Sequence, residues 1–127
     1  DQECPFRYLF VQERDFDIAE NIVNYFNAIK HRWPRSWEDT SRNSGFLPKT
    51  NAFRAFMRFL RREYPSLRKI EGKDVISQDA YAQLFLNIDL QDVDLSTRVF
   101  VPGGSGEANF FKLLIGELSK DDLLERA

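Results

Sequence analysis

Hydrophobic residues recur at helical spacing in four stretches of the chain, and the clearest of these lies between Gly45 and Tyr64. There, large apolar residues follow one another at intervals of three or four positions, which places them on one side of an α-helix. Thr50 is a suitable N-cap for this helix, and Pro65 is predicted to end it. The predicted buried residues are Phe53, Phe56, Met57, Leu60 and Tyr64. Phe59 lies at the edge of this apolar stripe, so it either joins the core or remains exposed.

Three further helices are predicted to begin near residues 17, 77 and 105. The first starts at a possible capping box, Asp17-x-x-Glu20, and stops at Pro34, whereas Ser77 or Asp79 and then Ser105 cap the other two. Their apolar faces are Ile18, Ile22, Tyr25/Phe26, Ile29 and Trp33; Tyr81, Leu84, Phe85 and Ile88; and Ala108, Phe111, Leu114/Ile115 and Leu118. Three asparagines, Asn21, Asn24 and Asn27, form either a hydrogen-bonding edge or a solvated face of the first helix.

Two short segments are predicted to be extended. Residues 4–12 are rich in aromatic and branched side chains, and residues 97–101 (TRVFV) share that composition, so the two can pair as a ribbon. Residues 35–48 read as a loop anchored by Trp37 and Phe46. The predicted fold is therefore mainly α, with four to five helices around one aromatic core and a small two-stranded ribbon as an option.

Composition indicates one folded domain spanning residues 1–127. The chain is 43% hydrophobic and contains 12 Phe, which is enough to bury a core without disulfides. It has a single cysteine, no secretory signal and no apolar run of the length that spans a bilayer, which favours a soluble, cytoplasmic protein. The chain opens without Met, so we expect a C-terminal fragment of a longer protein and an upstream domain as its partner.

Charge is distributed unevenly along the chain. Between Lys30 and Lys73 there are twelve Lys or Arg against four Asp or Glu, a net charge of +8, whereas the rest of the chain carries −10. Such polarity favours contact with an acidic partner, either nucleic acid or an acidic protein surface. The simpler alternative is that the basic and acidic parts neutralise each other within the fold.

The basic residues of this region are the candidate nucleic-acid contacts. Arginines that alternate with aromatic rings are typical of surfaces that bind phosphates and stack on bases, and here Trp33, Trp37 and Phe59 are interleaved with them. Trp33 also lies on the apolar face of its own helix, which favours a place in the core. The candidate contacts are Lys30, Arg32, Arg35, Arg54, Arg58, Arg61 and Arg62.

A second candidate site is the glycine-rich turn at residues 103–106. Gly103, Gly104, Ser105 and Gly106 precede a predicted helix, and backbone N–H groups at a helix N-terminus can hold an anion. The turn continues into Glu107 and Ala108 rather than the Lys-Ser/Thr of a phosphate loop, and Glu107 would repel a phosphate. The alternative interpretation is an ordinary turn between a loop and a helix.

Other catalytic signals are weak. One histidine and one cysteine cannot supply a usual zinc site, and their positions do not indicate a catalytic triad. His31 is expected at the surface, at the end of the first helix. We therefore predict a domain without metal, cofactor or enzymatic activity.

The order of the three segments NYFNAIKHRWPRSW, GFLPKTNAFRAFMRFL and VFVPGGSGEANFFKLL resembles the C-terminal helical portion of the DGQHR-domain family. Distant relatives of that family include the regulator of bacterial DNA-phosphorothioation islands. The resemblance spans roughly residues 4–118, although the DGQHR sequence itself is absent. It implies a bacterial, cytoplasmic, DNA-associated protein linked to mobile genetic elements.

The expected function is therefore a non-enzymatic accessory domain of a DNA-associated protein. Two alternatives remain: an interaction or self-association domain that docks on an acidic surface, giving a homo-oligomer in the second case, and an enzyme fragment whose glycine turn binds a phosphate-bearing substrate.

Overall fold

A computed structural model describes residues 6–34, 49–88 and 104–117. These residues form five helices and no strand. The helices are α1 (Arg7–Val11), α2 (Asp15–Arg32), α3 (Lys49–Glu71), α4 (Gln78–Gln83) and α5 (Gly104–Leu114). The predicted mainly α class is confirmed, and each of the four predicted helices begins within two residues of its expected start. α1 packs on α2, α2 on α4, and α3 on α5.

Helix α1 occupies a segment that the sequence predicted to be extended, so that prediction is wrong for residues 7–11. Phe6 and Leu9 are both buried, and the Phe6 ring lies edge-on to the Tyr64 ring with 4.8 Å between centroids. Residues three apart share a face in a helix but lie on opposite faces in a strand. The tertiary contacts of Phe6 and Leu9 thus favour a helix over the local strand propensity. The proposed pairing partner, 97–101, lies outside the described residues, as do Trp37 and Phe46.

Helices α1 and α5 end in similar left-handed turns. After α1, Glu13 adopts a φ of 56° and the N–H of Arg14 donates to the carbonyl of Leu9 at 2.9 Å. This six-to-one hydrogen bond is typical of a Schellman motif, which glycine usually completes. After α5, Gly116 occupies the corresponding position with a φ of 82°.

Helix α2 begins without a side-chain cap. The N-cap residue is Arg14, which makes no capping hydrogen bond, so the capping box predicted at Asp17 is wrong. Asp17 lies in the first turn, where its negative charge interacts favourably with the positive end of the helix dipole. It also accepts a hydrogen bond from Arg14 Nε at 2.6 Å. The predicted stop before Pro34 is confirmed, because the helix ends at Arg32.

Helix α3 continues through Pro65 to Glu71, so the predicted end at Pro65 is wrong. A proline inside a helix removes one backbone hydrogen bond and costs about 3 kcal/mol. Bonds from the flanking turns offset this cost, because Tyr64 and Arg68 both bind Asp74 in the loop that follows. Gly72 then ends the helix with a φ of 67°.

The buried face of α3 is rotated relative to the prediction. Phe53, expected in the core, is 56% exposed, whereas Phe59 is buried. The ring of Phe59 packs against that of Phe85 with 5.7 Å between centroids, whereas Phe53 stacks on Phe26 at the edge of the core. The buried residues of α3 are Ala52, Ala55, Phe56, Phe59, Leu60 and Tyr64.

Helix α4 buries most of the face predicted for it, whereas the buried face of α5 is shifted from the predicted one. The hydroxyl of Ser77 accepts the N–H of Ala80 at 3.1 Å, which confirms the predicted cap of α4, and the buried residues that follow are Tyr81, Phe85 and Ile88. On α5 the buried residues are Phe110, Leu113 and Leu114, whereas Phe111 is only partly covered. Leu118 lies outside the described residues.

One aromatic cluster forms the centre of the core, as predicted. The ring of Phe85 lies 5.6–6.1 Å from those of Trp33, Tyr25 and Phe56, and Phe56 also meets Phe110 at 5.1 Å. These rings come from α2, α3, α5 and the turn after α4. Their tilted and edge-to-face arrangement is the favourable geometry for aromatic pairs. The cluster therefore joins the helices and fixes which face of α3 remains in solvent.

Candidate nucleic-acid interface

The polar side of α3 is a strongly basic surface. The helix carries seven Lys or Arg residues and two Glu residues. The side chains of Arg54 and Arg62 are 67% and 51% exposed, Lys69 is exposed, and Arg61 is half-buried. Arg54 and Arg61 are seven residues apart and so lie above one another along the helix. We call Arg54, Arg61, Arg62 and Lys69 the arginine face.

Two members of this face differ in their local pairing. Arg62 contacts the carboxylate of its neighbour Glu63 at 3.3 Å, an exposed pair of the kind that contributes little to stability. In the described ranges Arg61 has no carboxylate within ion-pair distance. Within the described ranges, the arginine face therefore carries more positive charge than its carboxylate neighbours, Glu63 and Glu107, neutralise.

Arg58, another predicted contact, is used inside the fold. Its guanidinium group lies 4.2 Å from the centre of the Phe111 ring and 3.4 Å from the Glu107 carboxylate, both on α5. Arg54 approaches the same carboxylate at 4.0 Å. Cation–π and ionic contacts thus join Arg58 to α5. Arg58 helps to hold the two helices together, and its side chain is only 35% exposed.

The basic residues of α2 also separate into different environments. Arg32 donates from Nε to the carbonyl of Phe85 at 3.1 Å and from a terminal nitrogen to that of Ile88 at 3.2 Å. These bonds fix the end of α4 and the turn after it. Lys30 is exposed beside an open cleft of about 370 Å³ that His31 also lines. Arg35 lies outside the described residues.

The aromatic residues near these charges differ from those predicted. Trp33 and Phe59 are buried, and Trp37 is outside the described residues. Phe53 is exposed instead, and its ring stacks on Phe26 of α2 with 5.6 Å between centroids and only 6° between ring planes. Sequence periodicity placed Phe53 in the core, so it gave no signal for this exposed ring.

The glycine turn lies at the start of α5. Gly104 to Gly106 form its first turn, and Gly103 is outside the described residues. Glu107 follows in the first turn, where its side chain is directed to Arg54 and Arg58. An anion site at this turn stays a prediction.

A polar cluster that sequence analysis did not identify connects α2, α3 and the loop between α3 and α4. Asp74 accepts hydrogen bonds at 2.7 Å from Arg14 on one carboxylate oxygen and from Arg68 on the other. These two bonds lower the pKa of Asp74 below its usual value, and the bonds to Asp74 and Asp17 raise the pKa of Arg14. The backbone carbonyl of Asp74 also accepts the Tyr64 hydroxyl at 2.5 Å.

Asn21 occupies the buried centre of this cluster. Its amide nitrogen donates to the carbonyls of Asp17 and Asp74 at 2.9 and 3.0 Å. Its amide oxygen accepts the N–H of Ile76 at 2.9 Å and the hydroxyl of Tyr81 at 2.8 Å. All four hydrogen-bonding positions of the amide are therefore used. Of the two options left open for the asparagines, the hydrogen-bonding edge holds for Asn21 and for Asn24, which donates to the carbonyl of Ile76 at 2.9 Å, whereas Asn27 is exposed.

Burial disfavours ionisation of three core tyrosines. Burial raises the pKa of Tyr25, Tyr64 and Tyr81 above the ordinary value, because the charged phenolate is disfavoured away from water. Each hydroxyl donates a hydrogen bond, that of Tyr25 to the carbonyl of Phe56 at 2.6 Å. The three hydroxyls therefore act as hydrogen-bond donors within the fold. The polar cluster stabilises the contact between α2, α3 and the loop that follows α3.

Within the described ranges, no group of three or more His, Cys, Asp or Glu side chains is arranged to hold a metal ion. The helices of that same part of the chain include none with the length and apolarity required to cross a bilayer.

Comparison of the chain with protein-family models, with curated proteins and with solved structures finds no match.

Proposed function

We propose that this chain is a non-enzymatic binding domain whose arginine face contacts nucleic-acid phosphates. The observation that carries the proposal is the run of exposed charge along α3. From Arg54 to Lys69 the helix rises by roughly 22 Å, at 1.5 Å per residue. Because the phosphates of one strand of a duplex rise by about 3.4 Å each along the duplex axis, that length spans about six of them. The resemblance to DGQHR-domain proteins adds a bacterial, cytoplasmic, DNA-associated context to the proposal.

Three carboxylates at the contacts between helices are paired with arginines, which supports a structural rather than a catalytic role for them. Arg14 forms ion pairs with both Asp17 and Asp74, and Arg68 also pairs with Asp74. Glu107 forms an ion pair with Arg58. A general base needs a carboxylate or imidazole within reach of a substrate, and these carboxylates are instead paired with guanidinium groups. The exposed charges of the arginine face are cationic, which suits recognition of phosphate.

The test is the salt dependence of binding to fluorescent single- and double-stranded DNA. We expect affinity to fall steeply with salt, with a slope of about −0.9 for each phosphate neutralised on a duplex and about −0.7 on a single strand. Substitution of Arg54, Arg61 and Arg62 by Ala should reduce the magnitude of that slope by about two to three. Arg58 is left unchanged because its loss would also loosen α5.

The matched control is Lys112→Ala, which removes one exposed positive charge from α5. Compared with Arg61→Ala, it should leave the salt slope close to that of the original chain. Equal effects of the two single substitutions would show a non-specific response to net charge. Absence of salt-sensitive binding by the folded, unsubstituted chain would refute the proposal.

A second candidate function is contact with an acidic protein surface, including one on another copy of the chain. The observation that favours it is the seating of a carboxylate, Glu107, between Arg54 and Arg58. Light scattering tests the self-association form, in which Arg61→Glu and Arg62→Glu convert an oligomer to a monomer. An unchanged mass would exclude that form.

A further inference from the structure

The exposed ring of Phe53 carries an inference that deepens the proposed function. Phe53 lies near the start of α3 and stacks almost parallel on Phe26, which α2 supplies. More than half of its surface remains in solvent, although a phenylalanine normally lies in the core. The partner ring on α2 lies parallel to the Phe53 ring, so the exposed part of Phe53 is held in a defined orientation.

The positions around this pair of rings are basic or neutral. Lys30 is exposed one helical turn beyond Phe26, and Arg54 is next to Phe53 in the chain. The positions one turn from Phe53 on α3 are Lys49 and Met57. No acidic residue lies within one turn of either ring along its own helix.

A second exposed phenylalanine, Phe16, has acidic rather than basic neighbours. Phe16 is 91% exposed at the start of α2, but its neighbours in the chain are Asp15 and Asp17, and Glu20 lies one turn further on. A phosphate backbone would be repelled there. Phe53 therefore combines an exposed ring with a setting that attracts phosphate.

We propose that the Phe26–Phe53 pair is a stacking platform for an unpaired base, so that the partner is single-stranded nucleic acid. This inference rests on the proposed function. The two parts have different tasks, since the arginine face holds the phosphate backbone and the Phe53 ring receives a base. A duplex keeps the faces of its bases within the stack, so only an unpaired base can lie on the ring. Any base presents such a face, so the platform predicts little sequence preference.

The experiment measures the binding of the full chain to three fluorescent probes by anisotropy. The probes are a single strand of about 12 nucleotides, within the usual range of site sizes, the corresponding duplex, and an abasic strand of the same length. DNA and RNA versions of the single strand distinguish the two sources of unpaired bases. The variants are Phe53→Ala, Phe53→Trp, Phe16→Ala and Arg61→Ala.

We expect Phe53→Ala to weaken single-strand binding by about five- to a hundredfold, from the usual contribution of one stacked base. Phe53→Trp should retain that binding, and Phe16→Ala should not change it. Because the abasic strand keeps its phosphates and lacks bases, Phe53→Ala should not affect its affinity. Equal thermal unfolding of Phe53→Ala and Phe16→Ala would show that the effect is not due to loss of fold.

The possible failures are distinguishable. If Arg61→Ala weakens binding and Phe53→Ala does not, the platform is refuted and the phosphate-binding proposal stands. If Phe53→Ala weakens binding to the duplex and the abasic strand as much as to the single strand, the stacking role is also refuted. If the folded chain binds none of the probes, both proposals fail.

Discussion

Replacement of Asn21 by Ala is the most informative perturbation of the fold. The side chain of Asn21 is fully buried and makes four hydrogen bonds, two donated and two accepted. Alanine removes all four bonds and leaves a small cavity. The consequence depends on which of the four partners can find another hydrogen bond.

The two carbonyls that accept from Asn21 each keep another hydrogen bond after the substitution. The carbonyl of Asp74 keeps the Tyr64 hydroxyl at 2.5 Å, and the carbonyl of Asp17 lies within a helix, where the backbone supplies a donor. The two donors, the N–H of Ile76 and the hydroxyl of Tyr81, lose their acceptor in a buried setting. Each unsatisfied buried donor costs about 1–3 kcal/mol, so we expect a loss of about 4 kcal/mol in unfolding free energy.

A loss of that size is a large share of the roughly 5–15 kcal/mol that stabilises a typical domain. Urea unfolding followed by far-UV circular dichroism measures it directly. The matched control is Asn27→Ala, an exposed asparagine on the same helix, for which we expect a change below about 0.5 kcal/mol. A change of less than about 1 kcal/mol for Asn21→Ala would refute the reasoning, because an asparagine in a solvated position would give that value.

Three other predictions concern helix ends, pH and the arginine face. Gly116→Ala should destabilise the chain by about 1 kcal/mol because Gly116 has a positive φ, and Glu13→Gly should stabilise it by a similar amount, both measured by urea unfolding. Because the pKa of Asp74 is lowered from 3.8, its bonds stabilise the fold above about pH 4, and this stabilisation is lost as the pH falls through the folded-state pKa. Asp74→Asn should therefore flatten the acid side of a stability profile, and an unchanged profile would contradict this. Glu107→Gln should raise nucleic-acid affinity by about two- to fivefold in anisotropy measurements, because Arg54 loses a competing carboxylate; equal affinity would count against phosphate contact at Arg54.

The helices were predictable because their signals are local. Regular apolar spacing identified α2, α3, α4 and α5, and the side chain of Ser77 identified the start of α4. The end of α3 was not predictable from Pro65, because the bonds that extend the helix come from Asp74 in the loop that follows. α1 was missed for a related reason, since the burial of Phe6 depends on its contact with Tyr64.

The candidate interface was predictable in outline only. Sequence spacing correctly placed the arginines of α3 opposite its buried face. It did not predict that Arg58 is used inside the fold whereas Arg61 is not paired in the described ranges, because the residues that contact Arg58 lie on α5, about fifty positions away. Phe53 and Phe59 are both compatible with an apolar stripe, and the ring that packs on Phe59 is Phe85, which lies 26 positions further along the chain. Asn21 and Asp74 meet across 53 residues, a separation with no local signal.

The loop between α3 and α4 has an unusual consequence for the dynamics of the domain. Backbone amides in loops usually exchange with solvent hydrogen quickly, because brief local openings expose them. The amide of Ile76 is instead buried and bonded to a side chain at the centre of the domain. Its exchange should therefore require global unfolding and be as slow as that of the core helices. This loop also has no freedom to change length, since one inserted residue would move Ile76 away from Asn21.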